Sequence, residues 1–333
     1  MKASKVYPIY TVSAFGADGT EYELPNATTD LYIEESKGEL AKKVTLSLQN
    51  AAAGSKTLKD VLALRMQLKV TANDGETNKE VFSGYLWTIT FNDSIEKEIK
   101  CVAYDHLIYL QNSKDCIYVT AGKSTQSICS TICERWGVKL NFTYQSISHS
   151  KTPLNNQYIS DMLIEILDES KKQHGKKYAI RSEDGVMKIM TVGTNKTVYS
   201  FERQKGIISG RSEISMDGLV TKVAIAGTAD DDDRRSIEAT VNGKTAEYGT
   251  LQDIITKDTD TTLTEAKKEA NEILEEKGTP KPVYTRILPD VPWVHKGDLI
   301  KISDSELKAD CIVLSVTHDC KNKTMEVEVE KAA

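Results

Sequence analysis

Residues 80–110 read EVFSGYLWTITFNDSIEKEIKCVAYDHLIYL, and through most of this run Tyr85, Trp87, Ile89 and Phe91 alternate with Leu86, Thr88 and Thr90. Side chains that change face at every residue belong to a strand and not to a helix. Gly84 interrupts that strand, and an isolated strand glycine marks a bulge or sharp bend of the kind a small barrel needs at its corners. Residues 95–103 form the hairpin return, with Ile99, Cys101 and Ala103 on one face and Glu98 and Lys100 on the other. The run then closes on three polar residues, Tyr104, Asp105 and His106. They are the makings either of an active site or of a scaffold corner.

The same period continues toward the amino terminus, where Val44, Leu46 and Leu48 alternate with Thr45, Ser47 and Gln49. ADG at 17–19 and NDG at 73–75 supply turns. Residues 1–105 therefore read as a first β-barrel domain. Beyond Asp105 the period lengthens. Ser124 or Thr125 caps a helix carrying Ile128, Ile132 and Trp136 that stops at Gly137, and Ser160 caps a second with Leu163, Ile166 and Leu167 inward and Gly175 as its stop. Two short strands meet at Glu183-Asp184-Gly185. Residues 106–205 thus form an α/β domain.

Strands return near 206–228 and again over 282–333, where Ile300 and Ile302 flank Lys301 and Met325, Val327 and Val329 alternate with glutamates. These two stretches read as one discontinuous second β-barrel domain, entered at the turn glycine Gly297. Between them, DDDDRR opens an insertion over 229–281 that holds one helix. Thr262 and Glu265 stand at capping-box spacing there, Ala266, Ala270, Ile273 and Leu274 form the stripe, and Gly278 and Pro280 end it. The fold class expected is α+β, mainly β.

A chain of 333 residues suffices for two or three such domains. Its formal charge of −6 and pI near 5.6 argue against wrapping nucleic acid, which needs a concentrated basic face. The start MKASKVYPIYTVSAFGADG lacks the apolar core of a cleaved signal, and nowhere do roughly 18 apolar residues run together to span or anchor in a membrane. Six dispersed cysteines without a Cys-x-x-Cys pair point to a reducing compartment.

Motifs for chemistry are weak. AGKST at 121–125 has the end of a phosphate-binding loop, but position 117 is Ile where the pattern needs glycine. Cys129 and Cys133 follow the Ile128 and Ile132 stripe and read as core, not as half of a metal site. Asp230 to Asp233 lack the alternating ligand spacing of a Ca²⁺ loop. None of His106, His149, His174, His295 and His318 sits in a nucleophile-elbow or metalloprotease motif. No catalytic residue, cofactor or metal is assigned.

Several stretches together, in order, resemble one family. They are VFSGYLWTITF with IKCVAYDHLIYL, YISDMLIEILDES with GKKYAIRSEDGVMKI, YGTLQDIITKDTDTTLTEAKKEANEILEEKGTPK, and VHKGDLIKIS with VLSVTHDCKNKTMEVEVE. The chain resembles baseplate hub proteins of contractile phage tails and phage-tail-like bacteriocins, in particular PBSX-like prophage hubs, and more remotely the late control protein D family. The resemblance implies a non-enzymatic homotrimer that joins a sixfold tail tube, or its initiator, to a threefold central spike. Such a trimer forms an axial channel for tape-measure protein and touches neighbouring baseplate proteins. It would be made in the bacterial cytoplasm and built into a virion or bacteriocin particle.

On that resemblance Asp105 becomes the corner where the first barrel hands over to the α/β domain, Gly297-Asp298 a strand-entry turn, and His318 a strand-end partner. Two other classes compete. One is a cell-wall-directed carbohydrate-binding or hydrolytic tail module. The other is an effector-spike component, which usually appends a β-helical repeat that this sequence does not show before Ala333.

Overall fold

A computed structural model describes residues 7–24, 26–92, 98–203, 206–229, 234–257 and 261–332. Asp230 to Asp233 lie outside the described residues. Strands and helices follow in the order β1 (Ile9–Phe15), β2 (Glu21–Glu23), β3 (Thr28–Glu35), β4 (Lys43–Gln49), β5 (Ala52–Ala53), β6 (Lys56–Thr57), α1 (Leu58–Val61), β7 (Gln67–Asn73), β8 (Asn78–Phe91) and β9 (Glu98–Tyr104). Then come α2 (Ile108–Gln111), β10 (Lys114–Val119), α3 (Thr125–Arg135), β11 (Leu140–Phe142), β12 (Thr152–Tyr158), α4 (Ile159–His174), β13 (Tyr178–Glu183) and β14 (Val186–Thr191). The last part holds β15 (Tyr199–Glu202), β16 (Ser209–Glu213), β17 (Lys222–Ala226), β18 (Ile237–Asn242), α5 (Thr245–Tyr248), β19 (Gln252–Thr256), α6 (Leu263–Lys277), β20 (Val283–Pro289), β21 (Leu299–Ser303), β22 (Lys308–Asp319) and β23 (Thr324–Lys331). The chain is mainly β.

Two compact units are present, one of residues 1–211 with 284–333 and one of residues 212–283. In the first, one hydrogen-bonded path runs β20-β23-β22-β3-β4-β9-β8-β7-β1-β2, with β21 also on β22 and β15 parallel to β21. Two separate barrels require two sheets, and here the structure departs from expectation. The link is β22, which pairs with β23 over Cys311–Asp319 while its other edge is divided, Lys308–Ile312 to β21 and Val316–Asp319 to β3. A twelve-residue strand is long enough to serve both, and a register shift between Val313 and Ser315 bends it between them. Among the described residues the path does not close on itself.

The apolar cores stay distinct although the sheet is shared. Val44, Leu46, Leu48, Leu68, Val70 and Ile99 belong to one, and Ile300, Ile302, Val313, Val327 and Val329 to another. Cys320, just past β22, packs into the first. A third core lies under α3 and α4, where Ile128, Cys129, Ile132 and Cys133 meet Leu163, Ile166 and Leu167. Both cysteines are buried, and burial pushes the Cys133 thiol up to about 12.

Caps fix the helix ends. Ser124 Oγ accepts from Ser127 N at 3.2 Å, and Gly137 follows α3 with φ +64°. Gly175 ends α4 with φ +73°. Helix α4 starts one residue before Ser160, with Tyr158 at the cap, because β12 runs straight into it. Asp184 and Gly185 both take positive φ in the β13–β14 turn, the geometry a two-residue hairpin needs.

The second unit has its own sheet, β18-β17-β19, and α6 lays Ala266 and Ala270 against Val220, Val223 and Ile225. Its capping box is Thr262 with Glu265. Strand β17 therefore pairs within this unit, whereas the sequence reading grouped residues 206–228 with the carboxy-terminal strands.

Strand β8 is bent. Asn78–Tyr85 pairs with β7 and Tyr85–Phe91 with β9, and register shifts leave Val81 and Trp87 as extra residues on either side of Gly84. Gly84 is buried between them, where a Cβ would stand 2.2 Å from the Tyr104 carbonyl oxygen.

Candidate functional site

Two clusters of buried polar groups in the first unit each join segments distant in sequence. The first begins at Asp105, which leaves β9 and is 2% exposed. Its Oδ2 accepts from Lys42 N at 3.0 Å and its Oδ1 from Leu107 N at 2.9 Å, while its own N–H donates to Lys42 O at 3.1 Å. The carboxylate thus terminates one strand and orients the first turn before α2. Burial pushes its carboxyl up to about 6, against those amide bonds and Lys42.

Lys42 leads onward. Its Nζ reaches Glu35 Oε1 at 2.9 Å and Val81 O at 3.2 Å. Glu35, at the end of β3, also meets His295 Nδ1 at 2.8 Å and accepts from Lys296 N at 3.2 Å. Burial alone would raise the Glu35 carboxyl, but Lys42 and His295, with Arg181 behind them, outweigh it and hold it well below the usual carboxylate range. From the other side Asp298 accepts from His295 N at 3.0 Å and from Arg181 Nη1 at 2.7 Å, and Arg181 also donates to Lys296 O at 3.0 Å. Arg181 Nε lies 2.5 Å from Glu183 Oε1, an ion pair without hydrogen-bond geometry. One network therefore ties β3 and β9, the β13–β14 hairpin and the turn before β21.

Gly297 makes this turn possible. Its φ is +88°, its N–H donates to Val313 O at 2.8 Å, and a Cβ would stand 2.4 Å from the Ala179 Cβ. Only glycine meets both demands.

The second cluster centres on His318 in β22, 3% exposed. Its Nδ1 lies 2.7 Å from Asp290 Oδ1 and its Nε2 3.2 Å from Val294 O, and Tyr10 Oη donates to Asp290 Oδ2 at 2.5 Å. Burial and the Asp290 charge push the Tyr10 hydroxyl far above its ordinary range, so it stays a donor. This cluster bridges β1, the end of β20 and β22.

The structure thus brings Asp105, Gly297 and Asp298 into one network, puts Gly84 against the residue preceding Asp105, and sets His318 in a cluster of its own. His106 is half-buried, and its Nε2 has no hydrogen-bond partner. Glu35, Lys42, Arg181, Asp290 and Tyr10 were not singled out from sequence. A signal for Glu35 existed, since Leu31, Ile33 and Glu35 share the inward face of β3.

A hydrolytic arrangement does occur by geometry alone. His149 Nε2 lies 2.9 Å from Thr125 Oγ1, and its Nδ1 2.7 Å from Glu169 Oε2. Yet Thr125 is fully buried and its hydroxyl already accepts from Ile147 N at 3.0 Å, so no substrate reaches it. These contacts fasten the start of α3 to α4.

Asp105 carries a pH prediction. Its folded pKa of about 6 lies above the ordinary 3.8, so its contribution is fully favourable below about 3.8 and is lost as pH rises through about 6. The stability of the wild type relative to Asp105→Asn should therefore fall by about 2–3 kcal/mol between pH 4 and pH 7. Urea unfolding across that range measures it, and a pH-independent difference would contradict the assignment.

Against this geometry the comparisons can be set. The model of a family described as YQBQ-like matches residues 38–330. The phage-like element PBSX protein XkdQ of Bacillus subtilis is 23% identical over 277 residues, covering 79% of this chain and 83% of its own. The fold is similar to the 43 kDa tail protein of prophage MuSo2 from Shewanella oneidensis, with TM-score 0.69, 14% identity, 97% of this chain and 98% of that one. It is also similar to an E. coli component of the type VI secretion system said to resemble the T4 bacteriophage tail proteins gp27 and gp5. That match has TM-score 0.55, 9% identity, and covers 92% of this chain and 74% of that one.

Proposed function

This chain belongs to the YQBQ-like family, and from that premise we propose that it is the structural hub of a contractile tail-like baseplate, encoded by a phage, a prophage or a bacteriocin locus. The observation that carries the reading is the whole-length likeness of fold to a prophage tail protein. The working state is a homotrimer around an axial channel that passes tape-measure protein. Each chain contributes two tube-like β lobes, one from residues 1–105 and one centred on 282–333, so three chains present six similar lobes to a sixfold tube and three to a central spike.

The buried clusters suit such a role. An adaptor transmits force between partners, and the two polar clusters fix β-lobe strands and the intervening α/β segment in one arrangement. Asp105, Asp298 and His318 act as scaffold in this reading, and no residue acts as a catalyst.

Co-expression with a central spike protein of the same kind of particle tests the proposal. Light scattering on the purified complex should give three copies of this chain per spike trimer. A complex of six copies, or a chain that never co-purifies with spike or tube, would overturn it.

A further inference from the structure

Trp87 is placed where packing does not require it. It is the extra residue of the bulge between Leu86 and Thr88, and the residue is 39% exposed, while Phe82 and Leu86 of the same strand fill the core. A bulge re-aims a side chain out of the regular alternation. The indole is nevertheless held, with Tyr104 edge-on at 6.2 Å and 87° and Tyr109 at 5.6 Å and 70°. A fixed, exposed aromatic face needs no ordering when something stacks on it.

That ring stands at a cleft of about 500 Å³, within the range of small-molecule sites, lined also by Glu34, Glu39, Lys43, Tyr104 and Gln111. Its charges are already engaged. Lys43 Nζ pairs with Glu34 Oε2 at 2.8 Å, and the Gln111 amide donates to the Glu39 carboxylate. The only lining ammonium is thus paired, which leaves no unspent cation to hold a phosphate, while the Glu39 carboxylate keeps its charge and its spare lone pairs beside the Gln111 amide. What remains is an apolar ring face beside carboxylate, amide and hydroxyl groups with spare lone pairs. A neutral pyranose has the matching halves, a C–H face to stack and equatorial hydroxyls to donate.

We propose that this cleft is a binding site for a neutral saccharide, with Trp87 as the stacking platform and Glu34, Glu39 and Gln111 as acceptors for its hydroxyls. The proposal does not depend on the hub assignment. A particle component with such a site would make a weak contact with surface or wall glycan.

The test titrates the purified full chain with chitotetraose, cellotetraose and maltotetraose, and with tetralysine as the basic comparator, following the indole N–H resonances of Trp87, Trp136 and Trp293 by NMR. At least one tetrasaccharide should shift the Trp87 signal saturably below about 10 mM and leave Trp136 unmoved. Trp87→Ala should weaken that binding at least about tenfold, Trp87→Phe should retain part of it, and Trp136→Ala should leave it unchanged. No saccharide binding up to about 10 mM, equal binding by Trp87→Ala, or preference for tetralysine would each overturn the proposal.

Discussion

Replacing Gly84 by alanine is expected to destabilise the chain by about 3–5 kcal/mol, near the upper limit for single substitutions. The added methyl carbon would stand 2.2 Å from the Tyr104 carbonyl oxygen, 2.6 Å from its carbonyl carbon and 2.5 Å from the Phe82 ring. The ring could turn aside, but the carbonyl belongs to β9 and is fixed by pairing with both β4 and β8. Relief requires the two strands to part at the point where β8 changes partner. The next residue after Tyr104, Asp105, anchors the network that ties β3, β9, the β13–β14 hairpin and the turn before β21, so the displacement would propagate into it. Against a typical folding stability of 5–15 kcal/mol, such a loss leaves a fraction of the chain unfolded at growth temperature. Urea denaturation of the two proteins side by side measures it, and a difference below about 0.5 kcal/mol would show that the strands accommodate the methyl group.

The second large effect is expected at Glu35. Its carboxylate serves Lys42, His295 and the Lys296 amide at once, and both Glu35 and Lys42 are about 5% exposed or less. Glu35→Ala leaves a buried ammonium whose remaining hydrogen bond among the described residues is to the Val81 carbonyl, and breaking a buried pair from one side costs about 3–5 kcal/mol. Replacing both partners removes the stranded charge. Glu35→Leu with Lys42→Met should therefore cost less than the sum of the single changes, and a double-mutant cycle reads this directly. Because the Glu35 carboxyl is held well below its ordinary range in the folded chain, its contribution is present at neutral pH and is lost only as pH falls through that depressed value. Strict additivity at pH 7 would contradict the network.

Much of this architecture can be read from single residues. The alternation at Val44, Leu46 and Leu48 places β4, the Thr262–Glu265 capping box starts α6, and Asp184-Gly185 forms the β13–β14 turn, because local propensity and final structure agree there. What stayed hidden is non-local. The β10–β12 pair brings Lys114 opposite Tyr158 across two helical and strand elements, and β11 lies parallel to β14, neither of which any turn motif announces. The β22–β3 pairing that joins the two cores depends on strand length and a bulge, not on a residue type.

The site was legible in part for a related reason. Gly84 stands out as a strand-interrupting glycine and Asp105, Gly297, Asp298 and His318 as turn or strand-end residues, whereas the partners Glu35, Arg181 and Asp290 sit inside or beside strands where a charge looks like part of a polar face. Arg286 is another such case: it is 1% exposed, with Nε donating to Asp304 Oδ2 at 2.6 Å, yet in sequence it alternates with Tyr284 and Leu288 like any inward position. An inward charge in an alternating strand is the pattern that would have found them.

The central claim is that this chain is a trimeric hub. It is tested most directly by an electron-microscopy reconstruction of the assembled particle with the chain located in it. The account predicts three copies around the axis, between tube and spike, with β lobes of adjacent copies alternating around a continuous channel. Six copies around the axis, or a position away from the central hub, would contradict it.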